Sequence, residues 1–181
     1  MDYFSQHSER LRYRPVTLAD IVPWQAFFED NDRIRFLGIP LEWTPQQMAE
    51  QWITITLERY QSTGLGYLAV HQRDNGAFIG MVGILRRDDI SPSAEYEIAY
   101  SLLPQYRGQG YATEMARQMR HYGEQQLPAS RFISIIHVDN VDSKRVARSN
   151  GMTVAFSTEY KQMPVEVFAV NCTADEPLLT K

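Results

Sequence analysis

The sequence predicts one mixed α/β domain around a central, mostly antiparallel sheet. Two observations carry that reading. Apolar spacing changes from a 3.6-residue to a 2-residue period after Thr63-Gly64, and three strands then follow without a helix between them. The element order, β-α-α-β-β-β-α-β-α-β-β, lacks the strict alternation of a doubly wound nucleotide fold. A length of 181 residues suits one domain, and 44% hydrophobic residues with 3 Trp, 10 Tyr and 8 Phe can build a sizeable core. Length alone leaves two domains of about 90 residues open. General disorder is excluded by this composition.

Residues 1–10 are polar and read as a loose N-terminus, with the folded domain spanning 11–170 and a polar tail over 171–181. LRYRPV opens the domain as a short strand. Thr17 as cap, with Asp20 three residues on, predicts a helix over roughly 18–29, and Pro23 argues for a short one. Residues 30–43 are irregular yet apolar, which suits a loop packed over something. Thr44, Pro45 and Gln47 then form a stronger start signal for a helix to about Tyr60, with Met48, Trp52 and Ile55 on one side. GYLAVHQR and FIGMVGILRR flank Asp74-Asn75-Gly76, a hairpin signal. Glu95 to Leu103 is a third strand that places Tyr96, Ile98, Tyr100 and Leu102 on one face, with Glu95, Glu97, Ala99, Ser101 and Leu103 on the other. A helix from Ala112 to about Leu127, a core strand RFISIIHV, a short helix stopped by Gly151, and two closing strands near 153–160 and 164–170 complete the chain.

The charge balance narrows the function classes. Lys plus Arg is 18 against 22 for Asp plus Glu, a formal net charge of -4, which disfavours broad capture of nucleic acid. A single cysteine, Cys172, excludes an intrachain disulfide framework and a cysteine-cluster metal site, and fits a reducing, cytoplasmic compartment. The four histidines show no ligand spacing, so no metal is expected. The N-terminus carries no signal-peptide pattern and no apolar run is long enough for a membrane span, so no membrane partner is expected.

The most informative stretch is Gln105-Tyr106-Arg107-Gly108-Gln109-Gly110-Tyr111-Ala112, which follows a strand and opens a helix. Backbone N–H groups at a helix start lack intrahelical partners and can cradle an anion. Gly108 and Gly110 permit tight turning and close approach, and Arg107 adds charge, so a diphosphate fits. The same glycines would equally serve as a plain strand-to-helix connection. The pattern is neither a P-loop nor the dinucleotide fingerprint.

LLPQYRGQGYATE resembles the acyl-coenzyme A motif of the GCN5-related N-acetyltransferase (GNAT) superfamily, Gln/Arg-x-x-Gly-x-Gly/Ala, with Gln105, Gly108 and Gly110 at its defined positions. Asp139-Asn140-Val141-Asp142-Ser143 through Arg148-Ser149-Asn150-Gly151-Met152 is similar to the family's Asn-x-x-Ser helix ending in Gly-Phe. Tyr-Arg-Gly-Gln-Gly-Tyr-Ala-Thr-Glu and the early RPVTLADI resemble the ribosomal-protein-alanine N-acetyltransferase branch. The resemblance implies acetyl-CoA, with its pyrophosphate on the amides of Arg107, Gly108, Gln109, Gly110, Tyr111 and Ala112. The pantetheine arm would lie like an extra strand beside Leu102 and Leu103, between central strands that splay apart. Asn140 would bond the pantetheine, a role compatible with a helix cap. Ser143 would contact the cofactor or assist at the thiol end, or stand as a small polar helix residue. Dimers are common in such folds, and the closing strands are the candidate contact elements.

The implied reaction is direct acetyl transfer to a primary amine, which must lose a proton before attack. The carbonyl oxygen that becomes negative is best met by a preorganised strand amide. The leaving thiolate, with a reference pKa of about 8.5, needs little acid help. Glu97 resembles the branch's carboxylate on the strand before the cofactor motif and is the first candidate base, with Glu95 on its face as reserve. His137 ends a core strand, and the reference pKa of an imidazole suits proton transfer. Where many members carry a tyrosine acid, this chain has Ala147, so no such acid carries over.

The acceptor stays open: a protein or peptide α-amine as in the resembled branch, or a small amine such as a polyamine, amino acid or antibiotic. A binding module with weak catalysis is the remaining alternative. An open groove would suit the peptide, and a closed acidic or aromatic pocket the small amine. Phe36, Trp43, Trp52, Tyr60 and Tyr160 are candidate walls, and Glu29, Asp30, Asp32 and Glu42 make the early loop acidic, which suits a cationic acceptor.

Overall fold

The computed structural model describes residues 2–172. Eight strands form one sheet: β1 Gln6–His7, β2 Leu11–Pro15, β3 Tyr67–Gln72, β4 Phe78–Arg87, β5 Glu95–Leu102, β6 Arg131–His137, β7 Thr153–Tyr160 and β8 Met163–Asn171. Their order is β1-β2-β3-β4-β5-β6-β8-β7, and every neighbouring pair is antiparallel except β5 with β6. The helices are α1 Ile21–Gln25, α2 Pro45–Thr63, α3 Tyr111–Gln126 and α4 Val141–Ser149.

Strand alternation sorts the core into two layers. Leu68, Val70, Val82, Ile84, Ile98 and Leu102 pack with Met115, Met119 and Ala147 of α3 and α4. Ala69, Met81 and Leu103 pack on the other side with Trp24 of α1 and Met48, Ala49 and Ile53 of α2. Each face of the sheet is therefore covered by its own helix pair.

The opening is in the middle. β5 and β6 pair only at Tyr96 with Phe132 and Glu97 with Ile133. Beyond these, β5 stays paired with β4 through Leu102, and β6 with β8 through His137, so it is the central seam that parts. Ser134 Oγ donates to the Ile98 carbonyl at 2.7 Å, and the Ile135 N–H reaches the Glu97 carboxylate at 3.5 Å. Side chains thus satisfy the first orphaned backbone groups of the split.

Several expectations need correction. The helix expected over 18–29 is a 3-10 turn, Leu18–Asp20, followed by α1, because Asp20 is held by the Thr17 N–H and the Arg14 guanidinium as a tight corner. The long α2 keeps its capping box, Gln47 N–H to Thr44 Oγ1 at 3.2 Å and Thr44 N–H to Gln47 Oε1 at 2.9 Å, but runs on to Thr63 and stops at Gly64. Its buried side is Met48, Ala49, Ile53 and Thr56, and Ile55 is exposed. Residues 1–10 were expected to be loose, yet Tyr3 and Gln6 are buried. The Tyr3 hydroxyl accepts the Ile84 N–H at 2.9 Å and donates to the Gly66 carbonyl, stitching β3 to β4. At this crossing a Cβ on Gly83 would lie 2.2 Å from the Gly66 oxygen, which is why the strands need glycine there. The expected tail lies outside the described residues from 173 onward. Among the described residues, no helix is long and apolar enough to cross a membrane.

Tyr3→Phe should destabilise the chain by about 1–3 kcal/mol, since it orphans a buried N–H and C=O while leaving the ring in place. Urea unfolding of the two proteins measures the difference, and equal midpoints would show that the N-terminal stitch is dispensable.

Candidate active site

The turn between β5 and α3 has the geometry of an anion cradle. Gly108 and Gly110 hold φ of 74° and 80°, the left-handed region that side chains with a Cβ disfavour. The Arg107 N–H, expected in the cradle, is already taken by the Pro104 carbonyl at 3.3 Å. The N–H groups from Gly108 through Thr113, by contrast, have no acceptor among the described residues; the helix ladder starts at Glu114, whose N–H donates to the Gly110 carbonyl at 3.1 Å. A Cβ on Gly108 would meet nothing within 4 Å, so this amide face opens on free space. The positive end of a 16-residue helix adds to the field. A phosphate chain fits this cradle.

From there a cleft of about 660 Å³ runs along the opened seam. Because the Ile98 carbonyl faces β6, alternation turns the N–H and C=O of Tyr100 and Leu102 the same way, into the gap. A peptide-like arm can bond such an edge as a strand would. The cleft gathers Glu97, Leu102, Arg107, Gly108, Gly110, Tyr111, Ala112, His137, Asn140 and Ser143. Leu103, Gln105 and Gln109 do not line it. Leu103 points to the α1–α2 side and its N–H bonds the Ile79 carbonyl, as alternation requires. Gln109 uses its side chain to donate to the Gln105 carbonyl at 3.2 Å, so both serve the turn itself, although the Gln109 N–H belongs to the cradle.

α4 frames the far wall. Asn140 Oδ1 accepts the Ser143 N–H at 3.2 Å, the helix cap anticipated for it. The Ser143 carbonyl accepts the Tyr100 hydroxyl at 2.9 Å, and its own hydroxyl has no partner among the described residues. Burial pushes the Tyr100 phenol far up, so it stays a protonated tie between β5 and α4. Ala147 is buried in the core, so the missing tyrosine leaves no vacant corner for another acid.

Glu97 sits where two cavities join. It lines the long cleft and also a second cavity of about 360 Å³ on the α2 side, together with Tyr67, Ile135 and His137. It is 8% exposed, and that burial raises its carboxyl above the ordinary range. The Arg87 guanidinium, with Nε 3.3 Å from Glu97 Oε2, opposes the rise, as does the Ile135 N–H. Arg87 is itself braced by Asp89 at 3.4 Å and by the Tyr160 hydroxyl. Sequence reading missed Arg87. Its only sequence signal is the β4–β5 register, which sets Arg87 opposite Glu95 and so diagonal to Glu97 on the same face.

The other titrating candidates sit differently. Glu95, the reserve base, is bound by the Arg131 guanidinium and the Ser91 hydroxyl and is absent from both cavities. His137 Nδ1 accepts the Asp139 N–H at 3.0 Å, which leaves the ring proton on Nε2 and makes that nitrogen a donor.

The second cavity has aromatic walls from Phe36, Trp43, Trp52, Tyr67 and Tyr160. Tyr60 is not among them; its hydroxyl accepts the Val16 N–H at 3.0 Å and donates to the Tyr67 carbonyl, and burial pushes its pKa up to about 12. Glu29, Asp30, Asp32 and Glu42 do not line it either, so the acidic loop does not charge this cavity. Gly38 closes one side: its position presses on Lys161 and Met163 of the β7–β8 hairpin, where a Cβ would come within 2.8 Å of Lys161 Cδ. The 31–37 segment is also tied to the cofactor side, Asn31 Oδ1 accepting from Arg107 at 2.9 Å and Arg33 pairing with Asp142.

Residues 10–153 match the acetyltransferase (GNAT) domain family. The chain belongs to that family. This acetyltransferase is 24% identical over 144 residues to the uncharacterized N-acetyltransferase YoaA of Bacillus subtilis (strain 168), covering 80% of each chain. Among solved structures, an acetyltransferase from Agrobacterium tumefaciens superposes with a TM-score of 0.78 at 23% identity, covering 94% of this chain and 96% of the other. RimL, a ribosomal L7/L12 alpha-N-protein acetyltransferase solved with coenzyme A, gives 0.70 at 20% identity, covering 93% and 97%. The protein is thus an acetyl-CoA-dependent N-acetyltransferase, and its cradle and opened seam fit coenzyme A.

Gly110→Ala forces a φ of 80° on a residue with a Cβ, at a cost of about 1–2 kcal/mol, or withdraws the amides from the cradle. Acetyl-CoA affinity measured by calorimetry should fall about tenfold. Unchanged affinity would remove the cradle from the phosphate site.

Proposed function

We propose that this acetyltransferase modifies a compact primary amine seated in the aromatic cavity, with Glu97 as the base. The observation that carries the reading is the position of Glu97 at the junction of the two cavities. Acetyl-CoA supplies the activated acyl group, and every other part of the reaction falls to the chain. The cradle amides and Arg107 hold the phosphates, and the edges of Tyr100 and Leu102 hold the amide-rich arm. Asn140 and Ser143 lie along the α4 wall, where the Ser143 hydroxyl is free to donate. Phe36, Trp52 and Tyr67 exclude water around the amine.

An alkylamine arrives protonated, so a proton must leave the nitrogen before it can attack. A carboxylate whose basicity is raised by burial, with Arg87 opposing the rise, is suited to take it. His137, with its proton on Nε2, acts as a hydrogen-bond donor at the same junction and not as the base. A walled, aromatic cavity favours a small acceptor over an extended chain. A protein amino terminus is the second reading, favoured by the activity named for RimL and by the exposed Ile55 and Lys161 on the cavity wall, which mark where a chain would leave.

Thiol release from acetyl-CoA across free amino acids, short peptides, polyamines and aminoglycosides, with product masses, tests the acceptor class. Glu97→Gln should lower kcat by about a hundredfold or more while acetyl-CoA still binds. Activity should appear as pH rises through the Glu97 pKa, because the base works only when deprotonated. Arg87→Gln removes the group that opposes the upward shift, so that limb should move to higher pH. A Glu97→Gln enzyme with full activity would overturn the assignment of the base.

A further inference from the structure

The acceptor cavity carries an excess of positive charge that its reaction does not explain. Its lining holds three cationic side chains, Arg59, Arg87 and Lys161, against one carboxylate, Glu97. Arg87 is committed to Glu97, Asp89 and Tyr160. Arg59 and Lys161 are in no ion pair among the described residues, and the Lys161 ammonium rests over the Tyr160 ring, 5.8 Å from its centroid. The only hydrogen bond of the Arg59 side chain among the described residues is a 3.4 Å donation to the Arg86 carbonyl, and neither side chain has a carboxylate within ion-pair distance there.

Lys161 is also placed with care. It lies in the hairpin turn with φ of 50°, followed by Gln162 at 60°, a conformation that non-glycine residues rarely adopt. Gly38 packs on its aliphatic stem, which fixes where the ammonium projects. Desolvation by its neighbours, then Arg87, pulls the pKa of its ammonium down, while Glu97 and Asp89 push it up. Trp52 lines the same cavity, and its buried indole N–H has no acceptor among the described residues.

With Arg87 already balanced by Glu97 and Asp89, the cations left at this cavity are Arg59 and Lys161, and they repel an ammonium acceptor unless it brings negative charge of its own. We infer that the acceptor is an amine that also bears a carboxylate, with the amine at Glu97 and the carboxylate taken by Lys161 and Arg59 at the cavity mouth. Polycations such as polyamines and aminoglycosides are the acceptors this arrangement rejects. The inference rests on the proposed acetyl transfer in this cavity and narrows its substrate to amino-acid-like molecules.

The test separates binding from turnover. N-acetylated phenylalanine, leucine and methionine, and the amide of each, are titrated by calorimetry into the full chain saturated with coenzyme A. The carboxylates should bind about tenfold more tightly than their amides, as expected for a charge-assisted contact. Lys161→Gln combined with Arg59→Gln should close that gap, and Lys161→Arg should keep it. The free amino acids against their amides and spermidine are then compared by thiol release. A carboxylate preference in binding without any turnover would uphold the anion subsite while refuting the acetyl-transfer reading. Equal binding of acids and amides, a preference that survives the double variant, binding by no member of the panel, or faster turnover of spermidine would overturn the inference.

Discussion

Between β5 and β6 the sheet keeps two paired positions and then lets go, and the rest of the site follows from that release. A parallel pair in mid-sheet would normally continue to the strand ends, since every broken rung leaves an N–H or a C=O in need of a partner. Here Ser134 and Glu97 take the first of these groups with side chains, and the remaining ones along Tyr100 and Leu102 are left for a ligand. The two helix layers stay intact because each strand keeps its outer neighbour. The opening therefore connects the two faces of the sheet without breaking either core.

Glu97 shows how one residue can serve both the seam and the two cavities that meet there. Its carboxylate accepts a backbone amide of β6, so it belongs to the sheet, yet it also faces both cavities. Burial raises its carboxyl above the ordinary range, and Arg87, anchored by Asp89 and by Tyr160 of β7, opposes the rise. The closing hairpin thus reaches back to govern a group on a strand far away in sequence.

Much of this was legible in the sequence because it is written locally. Period changes marked the strands, Thr44-Pro45-Gln47 marked α2, and the glycine spacing at 108 and 110 marked the cradle. Residues whose role is set by distant partners were not legible. Tyr3 sits in a polar stretch and gains its place only by reaching Gly66 and Ile84. Arg87 looks like any strand-end arginine until the register places it beside Glu97. Leu103 was assigned to the cofactor side by proximity to the motif, although a period of two sends it to the opposite layer. The acidic loop residues were counted by number, while the cavity beside them takes its charge from α2, β4 and a hairpin turn.

The segment from Asn31 to Leu37 touches nearly everything of consequence. It bonds the phosphate loop through Arg107, pairs with α4 through Asp142, and sends Phe36 and Leu37 into both cavities. Two ligands that press on one shared wall do not have independent affinities, and thermodynamic linkage makes the influence equal in both directions. The affinities at the two cavities are thereby coupled through a single stretch of chain that lines both.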